Sequence, residues 1–296
     1  MMTLLSETDV NVRRWFYVLV LVLLGSAWLP LSSAQALVPN VAVAKEGSLT
    51  APWTEEFTAY GVSVASDATN GPLIAVIDAS GNVWAKQGSL TAPWVEEYSG
   101  ASDAATAVSV ASDPKNGPLI VVLTTAGNVY AKEGSLTAAF TTEYTGASSP
   151  AVSVASDATN GPLVAVLAGS NVYAKEGSLT AAWLDEYNTA SQVAVASDPT
   201  NGPLIAVVAG GSLYAKEGSM TGATWLDEYN TATEVSVASD PTNGPLIAVV
   251  AGDNDYAKEG SMTGATWTQE SSAYRVVAVA SDAKNGPVIG LAGAAV

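Results

Sequence analysis

Three side chains recur together along this chain: an indole, a carboxylate three residues after it, and an ammonium earlier in the same stretch. The indole stands at Trp53, Trp94, Trp183, Trp225 and Trp267, with Phe140 once in its place. The carboxylate stands at Glu56, Glu97, Glu143, Glu186, Glu228 and Glu270, and Lys175 and Lys216 typify the ammonium. An exposed indole stacks on the apolar C–H face of a pyranose ring while its N–H finds an acceptor. A carboxylate accepts two hydroxyls, an ammonium donates, and charged hydrogen bonds are about twice as strong as neutral ones. The candidate ligand-binding residues are therefore Trp53, Glu56, Trp94, Glu97, Glu143, Lys175, Trp183, Glu186, Lys216, Trp225, Glu228 and Trp267. The same pattern fits a structural role. A Trp repeated in every unit would fill the core between units. Lys and Glu would then pair across strands on the rim, a contribution of about 0.2–1 kcal/mol each.

Composition excludes the chemistries that need imidazole or thiolate, and leaves paired carboxylates of the glycosidase kind as the one catalytic arrangement it permits. The chain has no His and no Cys. That removes Ser-His-Asp triads, imidazole acid–base work, His-metal sites, thiolate nucleophiles and disulfides. Enzymes on repeat folds depend on residues that break the repeat. Here these are Arg275, Phe140, Gln87 and Ser271, and they form no recognisable constellation. No catalytic residue, cofactor or metal is expected, and the chain reads as a non-enzyme. The recurring Asp-x-x-Asn-Gly-Pro segment has oxygens that suit Ca²⁺, but it lacks the acidic density of a Ca²⁺ loop. It reads as turn chemistry, with Asp folding back on its own backbone and Asn-Gly supplying positive φ.

The elements that must carry these residues are set by a repeat. The Gly of Lys-Glu-Gly-Ser falls at Gly47, Gly88, Gly134, Gly177, Gly218 and Gly260, at spacings of 41, 46, 43, 41 and 42 residues. Asn-Gly-Pro keeps the same beat from Asn70 to Asn285. A period in this range marks a repeat architecture. Each unit reads as four strands, here residues 193–197, 204–208, 213–217 and 225–229. The first alternates and is rich in Val. The second is an apolar run bounded by turn signals, as in a strand buried on both faces. The third follows the tight link Ala209-Gly210-Gly211. Gly and Pro punctuate the chain too often for ordinary helices. Four strands in each of six units predict an all-β, six-bladed β-propeller. The chain enters on a third and a fourth strand (40–45 and 53–57) and leaves on a first and a second (276–281 and 287–291). These half-blades are complementary, and together they complete a sixth blade that hides free edges.

With Val-Ala-Val-Ala-Ser, Pro-Leu-Ile-Ala-Val, Gly-Asn-Val-Tyr-Ala-Lys, Gly-Ser and a terminal Trp in sequence, the unit resembles the blades of tachylectin/tectonin-type and fucose-binding propeller lectins. The resemblance spans all six repeats and is one of pattern. It implies sugar sites between neighbouring blades, with Trp183 or Trp225 as platform, Glu186 or Glu228 as acceptor and Lys175 or Lys216 as donor. Fucose-binding relatives commonly use an Arg, and these repeats hold one, Arg275.

Residues 1–36 stand apart from the repeat. Arg13 and Arg14 precede an almost wholly apolar run over 15–31, and Ala34-Gln35-Ala36 follows. Basic start, apolar run and small-residue site predict a secretory signal peptide cleaved after Ala36, leaving 37–296 as one propeller domain. The alternative is a membrane anchor over 15–31, near the lower limit of roughly 17–25 residues for a span. The segment holds two basic and two acidic residues, so the formal charge of −17 is unchanged by its loss. Such acidity argues against nucleic acid and anionic membrane surfaces as partners. The expected function is a secreted, multivalent carbohydrate-binding propeller whose partners are glycans or a surface polymer. The rival expectation is a non-catalytic structural or adhesive scaffold with a protein partner.

Overall fold

The computed structural model describes residues 40–44, 54–67, 69–147, 151–272, 276–282 and 286–292. The expected signal segment 1–36 and the candidate Trp53 lie outside the described residues. Every described element is a strand. The chain enters on β1 (Asn40–Ala44) and β2 (Thr54–Ala59), an antiparallel pair. Blade one follows: β3 (Gly61–Asp67), β4 (Gly71–Ile77), β5 (Val83–Gln87) and β6 (Val95–Tyr98). Blade two is β7 (Ala105–Asp113), β8 (Gly117–Thr124), β9 (Val129–Glu133) and β10 (Thr141–Tyr144). Blade three is β11 (Ala151–Asp157), β12 (Gly161–Ala168), β13 (Asn171–Glu176) and β14 (Leu184–Tyr187). Blade four is β15 (Ala190–Asp198), β16 (Gly202–Ala209), β17 (Ser212–Glu217) and β18 (Leu226–Asn230). Blade five is β19 (Ala232–Asp240), β20 (Gly244–Ala251), β21 (Asn254–Glu259) and β22 (Thr268–Ser271). The chain leaves on β23 (Val276–Asp282) and β24 (Gly286–Ala292).

Blades one to five are four-stranded up-and-down antiparallel sheets, and each terminal pair is a two-stranded sheet. The pair β1–β2 lies against blade one, where Ala42 and Ala59 join Ile74 and Val76 in one apolar cluster. The pair β23–β24 lies against blade five, where Val277 and Val279 meet Leu246, Ala248 and Val250. An outer pair before blade one and an inner pair after blade five supply the strands of a sixth blade. The fold is a six-bladed β-propeller.

Local chemistry explains why each unit folds this way. The second strand is buried along nearly its whole length, as in Leu204–Ala209, because neighbouring blades cover both of its faces. The core consequently lies between blades. The aspartate ending each first strand folds the turn: Asp198 Oδ1 accepts the N–H groups of Thr200 and Asn201, both at 2.8 Å. Beside it Gly202 (φ +79°) runs so close to the next hairpin that a Cβ would sit 2.6 Å from Gly218 O. Only glycine satisfies both demands there.

The same aspartates tie blade to blade. Ser112, Ser156, Ser197, Ser239 and Ser281 each donate a hydroxyl to the aspartate of the preceding blade: Asp67, Asp113, Asp157, Asp198 and Asp240. Deeper in, Ser63, Ser153 and Ser236 accept the N–H groups of Val110, Val195 and Val279 of the following blade at 3.1 Å. A sheet that spends its hydrogen bonds within itself is thus pinned laterally to its neighbour near the axis. The donors around each aspartate take the lone pairs a cation would need, as the turn reading of Asp-x-x-Asn-Gly implies.

Candidate functional site

The repeated Lys, Glu and Trp meet, and they meet across a blade boundary. The lysine of one blade's third strand reaches the glutamate of the preceding blade's fourth: Lys86 to Glu56, Lys132 to Glu97, Lys175 to Glu143, Lys216 to Glu186 and Lys258 to Glu228. The side chains in these pairs are only 1–5% exposed. Each ammonium also donates to a carbonyl in its own following loop, such as Met220 O at 2.7 Å and Met262 O at 2.8 Å. An aromatic ring covers it. Lys86 lies 5.0 Å from the Trp94 centroid, Lys132 5.1 Å from Phe140, Lys175 4.8 Å from Trp183, and Lys216 and Lys258 5.4 Å from Trp225 and Trp267. The indoles point back at the preceding blade: Trp183 and Trp267 donate Nε1–H to the carbonyls of Glu143 and Glu228 at 2.9 Å.

This cluster is a latch. Its lysine is coordinated by a carboxylate, a carbonyl and an aromatic face, and its glutamate is covered by the lysine. Neither charged group presents an atom to a ligand. Pairing of Lys with Glu agrees with the structural role read from the sequence, with two differences. The pair bridges blades instead of strands of one blade, and it is buried instead of rim-exposed. A buried pair is governed by desolvation, so removing one partner costs about 3–5 kcal/mol. Burial pushes the Glu97 carboxyl up, and the hydrogen bond and charge of Lys132 oppose that shift. The indole sits one residue ahead of the fourth strand, at Trp183 before Leu184 and Trp225 before Leu226, where it can fold over the lysine. Trp94, Trp183, Trp225 and Trp267 remain half-buried.

Next to each latch, nearer the face carrying the links between second and third strands, a second aromatic group fills the boundary. A fourth-strand ring of one blade packs on a third-strand ring of the next. Tyr98 and Tyr130 lie 5.6 Å apart at 31°, Tyr144 and Tyr173 5.6 Å at 31°, Tyr187 and Tyr214 5.4 Å at 29°, and Tyr229 and Tyr256 5.0 Å at 34°. Phe57 and Trp84 take these places at the first boundary, 5.9 Å apart. All ten rings are half-buried. The latch indole meets the same fourth-strand ring edge-on, as Trp225 meets Tyr187 at 4.9 Å and 70°.

The residue opposite the third-strand ring flanks this aromatic pair and varies. It is Glu96 opposite Trp84, Asp185 opposite Tyr173, Asp227 opposite Tyr214 and Gln269 opposite Tyr256, and all four are exposed. Thr142 takes the place opposite Tyr130. A bulge in the fourth strand, with Glu186 skipped between Asp185 and Tyr187, sets this alternation. It sends glutamate to the latch while tyrosine joins the aromatic pair and aspartate stands beside it. Burial raises the Tyr187 hydroxyl pKa first, followed by the charges of Tyr214 and Asp227 and the hydrogen bond with Tyr214. Tyr229 is pushed up to about 12 by burial and its hydrogen bond with Tyr256. The third-strand tyrosines and their opposing carboxylates were missed by sequence reasoning. Their signal was Tyr173, Tyr214 and Tyr256 at one repeat position, two residues before the latch lysine.

No protein-family model matches the sequence, and no curated protein matches it. Solved structures do. The SapL1 lectin, in complex with alpha methyl fucoside, is similar with TM-score 0.53 and 11% identity over 78% of this chain and 87% of that one. BBS1N, in complex with ARL6DN, is similar with TM-score 0.54 and 14% identity over 90% of this chain and 96% of that one. The Hadza microbial sialidase Hz136 is similar with TM-score 0.52 and 11% identity over 80% of this chain and 65% of that one. The likeness is one of fold, and the architecture matches that of a fucose-lectin-like propeller.

Proposed function

We propose that this chain is an exported, multivalent carbohydrate-binding propeller without catalytic activity, whose ligands enter the grooves between blades. The observation that carries the reading is the half-buried aromatic pair at five successive boundaries. A packed core would bury such rings fully, whereas a sugar site needs a ring face or edge in reach of solvent beside polar groups. Tyr187, Tyr214 and Asp227 form the fullest example. The half-buried latch indoles, Trp183 and Trp225 among them, extend the apolar floor. Glu186, Glu228, Lys175 and Lys216 hold that floor in place from below. Each groove is shallow and weak alone, and several on one rigid ring gain by raising the effective concentration of the next site. Export rests on Arg13, Arg14, the apolar run and Ala34-Gln35-Ala36. N-terminal sequencing of protein recovered from the medium should then begin at Leu37.

A glycan array on residues 37–296 tests the function, repeated with Tyr187→Ala, Tyr214→Ala and the double variant. The expected outcome is a glycan signal that falls more than about tenfold in the double variant, since avidity multiplies weak sites, with the melting temperature changing far less than in Trp183→Ala. A chain that binds no saccharide but captures a protein partner overturns the reading in favour of a scaffold.

A further inference from the structure

The grooves differ in the group that flanks their rings, and that difference bears on what they bind. Five of the six described lysines are buried in the latches. The sixth, Lys115, lies in the turn between β7 and β8, with its Nζ on Ala158 O at 3.1 Å. That turn is at the opposite end of the strands from the tyrosine grooves. Among the described residues, then, no free cation stands near any groove. Two boundaries carry an exposed aspartate directly opposite a half-buried tyrosine: Asp185 with Tyr173 and Tyr144, and Asp227 with Tyr214 and Tyr187. Among the described residues neither carboxylate has a hydrogen bond or ion pair.

On this arrangement, and resting on the carbohydrate reading above, we propose that the two grooves select amino sugars with a free, protonated amine: oligomers of glucosamine type, in preference to their N-acetylated or acidic counterparts. A tyrosine face attracts a cation through its ring quadrupole, best where water is partly excluded. The aspartate supplies the counter-charge and a hydrogen-bond acceptor, and an ammonium hydrogen bond to a carboxylate is about twice as strong as a neutral one. The negative field of a chain with formal charge −17 draws a polycation and repels a polyanion. Two such grooves at adjacent boundaries let one oligomer occupy both.

The test uses residues 37–296 and three tetramers: glucosamine, N-acetylglucosamine and a uronic acid. Binding is followed by calorimetry at about 20 mM and about 500 mM sodium chloride, between which exposed charge interactions are largely screened. The expected order is glucosamine first, N-acetylglucosamine at least about tenfold weaker, and uronate undetected, with the glucosamine affinity falling about tenfold in high salt. Asp185→Asn with Asp227→Asn lowers the preference for the free amine at least about threefold, Glu96 opposite Trp84 keeping one exposed carboxylate beside a ring, while Tyr214→Ala weakens both neutral and cationic ligands. Equal affinity for the first two tetramers, or any preference for uronate, overturns the amine selectivity while the carbohydrate reading stands. Absence of binding by every saccharide overturns both. Loss of glucosamine binding by the double aspartate variant together with a lowered melting temperature would mark a folding defect. Asp227→Glu, which keeps the charge, must then restore salt-sensitive binding, and its failure to do so counts against the proposal.

Discussion

Among the described residues, two stand in a conformation their side chains oppose. Thr189 and Thr231 have φ of 68° and 66°, each just after the fourth strand's Tyr-Asn and just before the next blade's first strand. A β-branched residue in the left-handed region is strained, by about 1–3 kcal/mol. Blade two has Gly146 at the corresponding place, φ 72°, with nothing within 4 Å of its would-be Cβ. Substituting glycine at the two threonines relieves the strain and costs some chain entropy and the local bond from Thr189 Oγ1 to Asn188 O. The net is a stabilisation of about 0.5–1 kcal/mol per site, or roughly 1–4 °C in melting temperature for a domain of this size. Thermal unfolding of Thr189→Gly and Thr231→Gly should show it, and a lowered melting temperature in either would mean that the threonine makes a contact worth more than its strain.

At the scale of elements, the latch is where blades are held to one another away from the axis. Lys175 and Glu143 lie on different blades, buried together under Trp183. Lys175→Met leaves the Glu143 carboxylate buried without its counter-ion and should cost about 3–5 kcal/mol. Glu143→Leu should cost a similar amount. The double variant should cost much less than the two single losses added together, because no uncompensated charge remains. Urea unfolding of the four proteins measures the coupling, and additive losses would show that the pair is not a unit. How much of this the sequence disclosed follows from the same residues. The strand count and the complementary ends were legible because Asn-Gly-Pro and Lys-Glu-Gly-Ser are local turn chemistry repeated in register. That Lys, Glu and Trp act together was legible from their shared period. Which way they face was not, since identical repeats give identical spacing whether a residue looks into its own blade or its neighbour's. The fourth-strand bulge, which sends Glu186 to the latch and leaves Asp185 in the groove, leaves no trace in a pattern of types.

For the molecule as a whole, the repeat multiplies small electrostatic effects into a pH dependence of stability. Four glutamates of the Lys-Glu-Gly-Ser unit, Glu133, Glu176, Glu217 and Glu259, have raised pKa values, through burial first and then the charge of the aspartate in the same blade. Their Oε1 atoms are buried without a hydrogen-bond partner among the described residues. Glu217 is pushed up to about 7 by burial and then by Asp198, against the charge of Lys258, and Glu234 to about 7 by burial and then by Asp255. A carboxyl whose pKa is higher folded than unfolded holds its proton more tightly in the fold. Stability is lost as pH rises from about 4.5 towards about 7 for these two groups, and is not lost further above that. The aspartates work the other way. For Asp67, Asp113, Asp198 and Asp240, burial pushes the pKa up, and the serine, asparagine and backbone donors outweigh it and hold the carboxyl below 3.8. Their contribution is present above that value and lost as pH falls through their lowered pKa values. The formal charge of −17 adds self-repulsion at neutral pH, which protonation relieves. The combined expectation is a stability maximum near pH 4–5, more acidic than the usual range of about 5 to 8. Glu217→Gln separates the local cause from the global one. Gln87 occupies the equivalent position in blade one, so the fold accepts the amide. The variant should gain about 1 kcal/mol over the parent at pH 7.5, after discounting for partial exposure of the group, and nothing at pH 4.5. Denaturant unfolding at the two pH values decides it: an equal gain at both would assign the effect to packing, and a parent more stable at pH 7.5 than at 4.5 would refute the acid maximum.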